Sequence, residues 1–384
     1  MMIRKILAIA AAFVAASILA GPFNLRAQEE DPDVAPTETS GTQAAANSGP
    51  EAPMNDYGQQ ITPEESSAGA ELGIGKFAPS RFHFSFQVSE GYDDNVYDST
   101  FNPITSFFTS GSVVLDYNFS SPRTSIDFRG VAGGTYYYNR PFGQEYDVND
   151  SITLGITHHL TPRLTLSAAI YLSYQTEPDF TDTFGVNRLA GNYFYTSDKF
   201  SAAYQWAPRF STVTSYTFDA INYDSAVVST YEDRTEHTFG NEFRFLASPT
   251  TALVGEYRFQ LVDYSQETRN STTHFFLAGF DHTFSPDFNV SLRAGVEARF
   301  FEDFGERTGP YGEATLRYAP GHRTSISWTS RYGLEEPDVP GTQSRTTFRT
   351  GLSASYGIAP RTTISGSVSY EHDANQEVLQ PPFF

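Results

Sequence analysis

From about residue 80 onward, apolar and polar positions alternate with a period of two in long runs. In Arg163–Gln175, Leu164, Leu166, Ala168, Ile170, Leu172 and Tyr174 share one parity, and Thr165, Ser167, Ala169, Tyr171 and Ser173 share the other. Phe288–Phe300 repeats the pattern: Phe288, Val290, Leu292, Ala294, Val296 and Ala298 alternate with Asn289, Ser291, Arg293, Gly295, Glu297 and Arg299. Successive side chains of a strand point to opposite faces, so each run predicts a strand with one apolar and one polar side. Seven prolines (Pro122, Pro162, Pro208, Pro249, Pro286, Pro320 and Pro360) recur at intervals of 34 to 46 residues, each after Ser, Thr or Ala. Proline presets a turn and cannot donate to a ladder, so these mark tight turns at one end of a repeated hairpin. Fifteen strands are predicted, from 81–91 through 310–319 to 361–373, and no segment carries a helical period.

The predicted strands run about 10 to 16 residues, beyond the usual soluble range of roughly 3–10 and enough for a tilted bilayer crossing of about 9–11. A closed sheet removes the unpaired edges that lipid cannot hydrogen-bond. Short turns at one end, longer loops at the other, and an apolar-out, polar-in dyad together predict an all-β protein, a transmembrane antiparallel up-and-down β-barrel. Single-chain bacterial barrels have even strand counts, so about sixteen strands are expected, one beyond the fifteen visible. Tyr117, Phe119, Tyr136, Tyr138, Tyr174, Trp206, Phe284, Phe288, Tyr318, Trp328, Tyr356 and Tyr370 lie near strand ends on the apolar parity, as interfacial girdles require.

The N-terminus reads as an export signal over residues 1–27. Arg4 and Lys5 precede an apolar run from Ile6 to Ala20 that is too short to span a bilayer, and cleavage is expected after Ala27. Residues 28–75 hold ten acids, no Lys or Arg and no apolar period, a composition expected of a disordered acidic periplasmic tail. The barrel is expected over 76–384. With no cysteine, neither disulfides nor a lipidated Cys can form, which suits a bacterial envelope. The net charge of −20 lies largely in that tail and in the seven long loops, which hold 19 acids and five bases. There is no basic footprint for nucleic acid.

If the Leu164/Ile170 parity faces lipid, the lumen receives Asp127, Arg129, Glu242, Arg244, Glu256, Arg258, Arg293, Glu297, Arg299, Glu313, Arg317, Arg331 and Arg349. Two readings stand side by side: a water-filled pore with mixed-sign walls that sieves small polar solutes, or an internal ion-pair network that fills the lumen. No long loop, helix or insertion offers a plug in the sequence. At the loop ends Asp93, Asp94, Asp179, Asp182, Asp303, Glu335 and Glu336 form an expected extracellular rim, either a cation-biasing mouth or a hydrated edge. Asp93-Asp94-Asn95 lacks the spacing and glycine of a calcium loop, so no metal is expected there. The histidines are scattered, with no metalloprotease, nucleophile-elbow or phosphate-loop spacing, so neither enzyme activity nor a cofactor is expected. His282 and Asn241 fall on the apolar parity as outliers.

The hairpin repeat, the Phe82/Phe84/Phe86/Val88 face and the Gly91-Tyr92-Asp93-Asp94-Asn95-Val96 segment resemble the outer-membrane β-barrel porin families of Gram-negative bacteria. The resemblance covers about residues 70–373. It implies an integral outer-membrane barrel among lipids and lipopolysaccharide, serving as a passive channel for small hydrophilic solutes. The alternative is a non-conducting barrel with a role in surface structure, adhesion or polysaccharide export. The chain departs from that pattern at its end: Pro381-Pro382-Phe383-Phe384 keeps a terminal aromatic without an alternating last strand.

Overall fold

The computed structural model describes residues 82–96, 103–141, 145–176, 192–265, 269–302, 305–321, 323–336, 342–359 and 362–378. The expected signal and acidic tail lie outside these residues, as do Asp179, Asp182 and Asp303. Within them the alternating runs form one antiparallel sheet. Its strands are β1 (Phe82–Asp93), β2 (Ser106–Ser120), β3 (Thr124–Tyr137), β4 (Tyr146–Thr161), β5 (Leu164–Gln175), β6 (Tyr193–Ala207), β7 (Phe210–Tyr223) and β8 (Arg234–Ser248). They continue as β9 (Thr251–Tyr264), β10 (Ser271–Ser285), β11 (Phe288–Phe301), β12 (Gly305–Tyr318), β13 (Thr324–Glu335), β14 (Thr342–Ala359) and β15 (Thr362–Val378). Each strand pairs with its neighbours in sequence, so the topology is strictly up and down.

Fifteen strands, not sixteen, occur among the described residues, with β1 and β15 as the two sheet edges. In a strictly alternating sheet the first and fifteenth strands run in the same direction, so an antiparallel closure would need one more strand. The segment after Asp373, expected to be too irregular for a strand, instead prolongs β15 to Val378 by pairing with the start of β14. A second correction concerns helix. Ala226–Glu232 forms one, here α1, in the loop between β7 and β8. Two turns leave too little length for a helical period to show in the sequence.

The register carries one parity through all fourteen ladders. Arg331 pairs Glu313, Glu313 pairs Arg293, Arg258 pairs Gly240, and Asp127 pairs Gly155, all on a single face. Burial runs opposite to that of a soluble sheet. On β11 Leu292, Val296 and Phe300 are 39 %, 49 % and 42 % exposed, whereas Arg293, Glu297 and Arg299 are 6 %, 0 % and 2 % exposed. That inversion is stable only where the apolar face meets hydrocarbon. No helix among the described residues is long and apolar enough to cross a membrane.

At the tight-turn end, Phe82 and Tyr117, Tyr204 and Trp206, Phe284 and Phe288, and Phe288 and Tyr318 pack ring to ring on the apolar side at 4.5–5.5 Å. Tyr92 with Phe107 and Tyr136 with Tyr138 do so at the loop end, giving the two girdles. The parity is not free of polar intrusions. Asn241 and His282 do point outward, and each meets a neighbouring threonine, Thr214 and Thr251. Asp150 and Asp198 also fall on the apolar parity, opposite Ala132 and Ile170. Asp150 accepts the Gly133 N–H, which offsets part of its desolvation.

Candidate functional site

The inner face is divided into two sectors. Along β2–β7 it is lined largely by short side chains such as Ser112, Ser125, Thr153, Thr157, Ser167 and Thr217, with few charges. Asp127 is exposed there, and Arg129 reaches Asp116 across the β2–β3 ladder at 3.5 Å. Along β8–β14 arginines and carboxylates alternate on nearly every strand and bond to one another.

The middle tier joins β8 to β12. Arg258 on β9 grips Glu313 on β12 with both terminal nitrogens, at 2.7 and 3.2 Å, and also bonds Glu256. Tyr311 donates to the same Glu313 at 2.8 Å. Arg293 on β11 makes a forked contact with Asp281 on β10, at 2.8 and 3.1 Å, and lies 3.8 Å from both Glu242 and Glu256. Arg244 bonds Glu242 and Asp281. Strands three apart are about 14 Å apart in a flat sheet, at ~4.8 Å per strand. Pairs between β9 and β12, and between β8 and β11, therefore require a sheet strongly concave toward its charged face. The spacing of charges on single strands gives no hint of these partners.

A second tier closes the loop end. Arg299 on β11 donates to Glu336 at 2.7 Å and to the Leu334 carbonyl at 3.2 Å, while Tyr264 donates to the other Glu336 oxygen at 2.7 Å. Arg269, in the loop before β10, bonds Glu232 at 3.0 Å and stacks on the Tyr264 ring at 4.1 Å. Arg234 bonds Glu236 beside them. Glu232 is the last residue of α1, so the arginine ties that helix to the loop before β10. On its other flank Val228 packs against Tyr193, Tyr195, Ile221 and Tyr223. The charged environments differ. Burial pushes the Glu232 carboxyl up, against the pull of Arg269. Glu336 is equally enclosed, but Arg299, Arg234 and Arg269 together with the Tyr264 hydroxyl outweigh burial and hold it below the usual carboxylate range.

A third group lies on β13–β15. Arg349 bonds Glu335 at 2.8 Å and Glu371 at 3.1 Å, and Arg345 bonds Asp373 at 3.1 Å. Arg331 lies 3.9 Å from Glu335.

All thirteen residues expected in the lumen stand on this inner face, Arg317 included, opposite Asn289. Of the expected rim, Asp93 and Asp94 lie at the loop end of β1, where the Asp93 carboxylate accepts the Asn95 N–H in a local turn. That turn delivers Val96, buried, to the Ile104 carbonyl. Glu335 and Glu336 differ from a hydrated edge: both are buried among the arginines just described. Parity could have added Asp281, Arg234, Glu236, Arg345 and Glu371 to the set. Arg269, Glu232 and the tyrosine cluster come from loops or from inner positions where nothing polar marks them.

Among the described residues no group of His, Asp and Glu is arranged to hold a metal. Four histidines meet hydroxyls: Thr124 for His158, Thr165 for His159, Tyr216 for His237 and Tyr257 for His274.

Residues 73–380 match the model of the family described as putative beta-barrel porin 2. The chain belongs to that family. Membership, the inverted burial and the two girdles make this porin-family chain an outer-membrane barrel protein. No curated protein matches it. Among solved structures it is similar to the ferric enterobactin receptor PfeA of Pseudomonas aeruginosa, at 12 % identity and a TM-score of 0.40, over 78 % of this chain and 54 % of that one. It is similar also to the copper transporter OprC, at 14 % identity and 0.39, over 76 % and 56 % of the two chains. The siderophore receptor PirA of Acinetobacter baumannii matches at 10 % identity and 0.38, over 78 % and 53 %. The chain thus spans about half the length of these proteins.

Proposed function

We propose that this porin-family barrel is a passive outer-membrane channel for small hydrophilic solutes, narrowed at its extracellular end. The observation that carries the reading is the composition of the inner face: ion pairs on β8–β14 opposed by short hydroxyl side chains on β2–β7. Paired charges keep the wall hydrated and nearly neutral, while small side chains leave room beside them. Solutes pass along the hydroxyl-lined sector, and the arginine–carboxylate ladder favours neutral or zwitterionic molecules over strongly charged ones. The export signal over 1–27 delivers the chain to the envelope, with outer-membrane lipid and lipopolysaccharide as its surroundings. Purified protein reconstituted in planar bilayers should give discrete conductance with weak ion selectivity. Folded protein that leaves the bilayer silent would reject the channel.

A second reading has its own support. α1 and the Tyr193/Tyr195/Ile221/Tyr223 cluster pack the interior at the loop end, as they would in a non-conducting barrel that serves surface structure or an export assembly. A silent bilayer together with a reproducible crosslinked envelope partner would favour it.

A further inference from the structure

Three consecutive tight turns carry an arginine directly after the proline: Arg123 between β2 and β3, Arg163 between β4 and β5, and Arg209 between β6 and β7. Each prolongs a ladder by one step, since the Arg123, Arg163 and Arg209 carbonyls accept the N–H groups of His159, Gln205 and Leu246 on the adjacent strand. The next residues, Thr124, Leu164 and Phe210, have the outward parity, so the three arginines fall on the inner one. All three are exposed, and among the described residues none of their guanidinium groups meets a carboxylate. On β8–β14 the same face behaves differently: Arg244, Arg258, Arg293 and Arg349 each bond an acid. The reason lies in the neighbouring rows. Between these turns and Asp147 and Asp219 near the loop end, β4–β7 bring no carboxylate to the inner face, and on β3 the first is Asp127, four residues beyond Arg123. Thr165, Ser167 and Ser211 stand there instead.

From this unmatched arc we infer a binding site for oligo-anions, molecules with several phosphate or carboxylate groups, at the tight-turn end of the inner face. Neighbouring tight turns are two strands apart, roughly 10 Å by the strand spacing. A molecule with several anionic groups therefore reaches more than one arginine, whereas a single anion engages one. The guanidinium fork matches phosphate and carboxylate oxygens, and the hydroxyls beside it serve the neutral part of such a molecule. The arc has a defined end: Thr250 and Asp287 take the position after the proline in the next two tight turns. The seven long loops at the opposite end hold 19 acids and five bases, so the two ends attract opposite ions. The anion thus approaches from the tight-turn side, which is periplasmic in an outer-membrane barrel. The inner parity turns these arginines away from lipid, so a dissolved anion fits them better than a phospholipid headgroup. The site goes beyond the channel reading and does not depend on conductance.

The test is calorimetric titration of the full chain in a non-ionic detergent at low salt, with heat-modifiable gel mobility as the check of folding. The probes are inorganic tripolyphosphate and orthophosphate. Tripolyphosphate should bind the parent protein about tenfold more tightly than orthophosphate, and its affinity should fall as salt is raised. The triple change Arg123→Gln, Arg163→Gln and Arg209→Gln should lose that advantage, the three corresponding Arg→Lys changes should keep most of it, and Arg163→Gln alone should weaken binding severalfold. Equal affinity in the parent and the glutamine triple would overturn the site, as would equal affinity for the two anions. A repeat in micelles doped with phosphatidylglycerol separates the two sources of phosphate: tripolyphosphate binding that survives supports the site, and binding abolished by the lipid assigns the arginines to headgroups and overturns it. Tripolyphosphate bound by a protein that leaves the bilayer silent supports the site and rejects the channel alone.

Discussion

Arg258 shows what the inner face demands of a single side chain. It is enclosed between Glu256 and Glu313, with Tyr311 closing the group, so its charge is matched rather than solvated. Removing one member of such a group leaves the others buried and unbalanced, a loss of about 3–5 kcal/mol. Arg258→Met should therefore lower the midpoint of urea unfolding in detergent micelles sharply. The triple change Arg258→Met, Glu256→Gln and Glu313→Gln should recover much of the loss, because no unpaired charge remains. A triple variant no more stable than the single would reject this account. The outer face obeys the opposite rule. Leu292→Arg places a charge against hydrocarbon and should cost about 2–4 kcal/mol if it lies near the midplane. Ser167→Arg, on the inner hydroxyl-lined sector, should fold with little change, and matched unfolding curves for the two would reveal a misassigned parity.

At the scale of elements, α1 is a part whose state is set by few bonds. α1 hangs on Glu232 and Arg269 and on Val228 against the tyrosines. Because burial raises the Glu232 pKa in the folded state, the folded helix holds a proton that the unfolded chain releases over the interval between the two pKa values. The stabilisation from that proton is complete below the ordinary carboxylate value and is lost as pH rises through the raised one. Hydrogen exchange of α1 amides should therefore speed up across that window, corrected for intrinsic rates, and Glu232→Gln should flatten the response. An unchanged pH response in that variant would place the titration elsewhere.

For the molecule as a whole, the two wall sectors predict a directional outcome. Liposome swelling should admit small neutral sugars faster than size-matched anions or cations, since the arginine ladder and its carboxylates nearly cancel. Replacing the lone inner lysine of β6, Lys199→Glu, should tilt the hydroxyl-lined sector toward cations, read as a shifted reversal potential in a salt gradient. No shift would place the solute path away from that sector. The sheet leaves β1 and β15 as edges pointing the same way. Among the described residues, therefore, closure cannot repeat the antiparallel rule that builds every other seam.

The sequence alone determined the strands and their faces. A period of two over a dozen residues admits one geometry, and a proline every few dozen residues marks the tight turns, so fifteen strands and the inner placement of all thirteen lumen candidates, Asp127 through Arg349, were readable without coordinates. Boundaries were less readable where local rules conflict. The expected strand 310–319 starts at Pro310, yet β12 begins at Gly305 because β11 supplies pairing on its other side. Partners were decided only by tertiary structure. Alternation says that Arg258 and Glu313 share a face, but the curvature that brings β9 within reach of β12 arises from the sheet as a whole. Likewise, the tie between α1 and Arg269, the burial of Glu336 and the break above Tyr332 depend on contacts between separate strands and loops, up to 72 residues apart, and nothing in the periodicity of one strand encodes where another will bend.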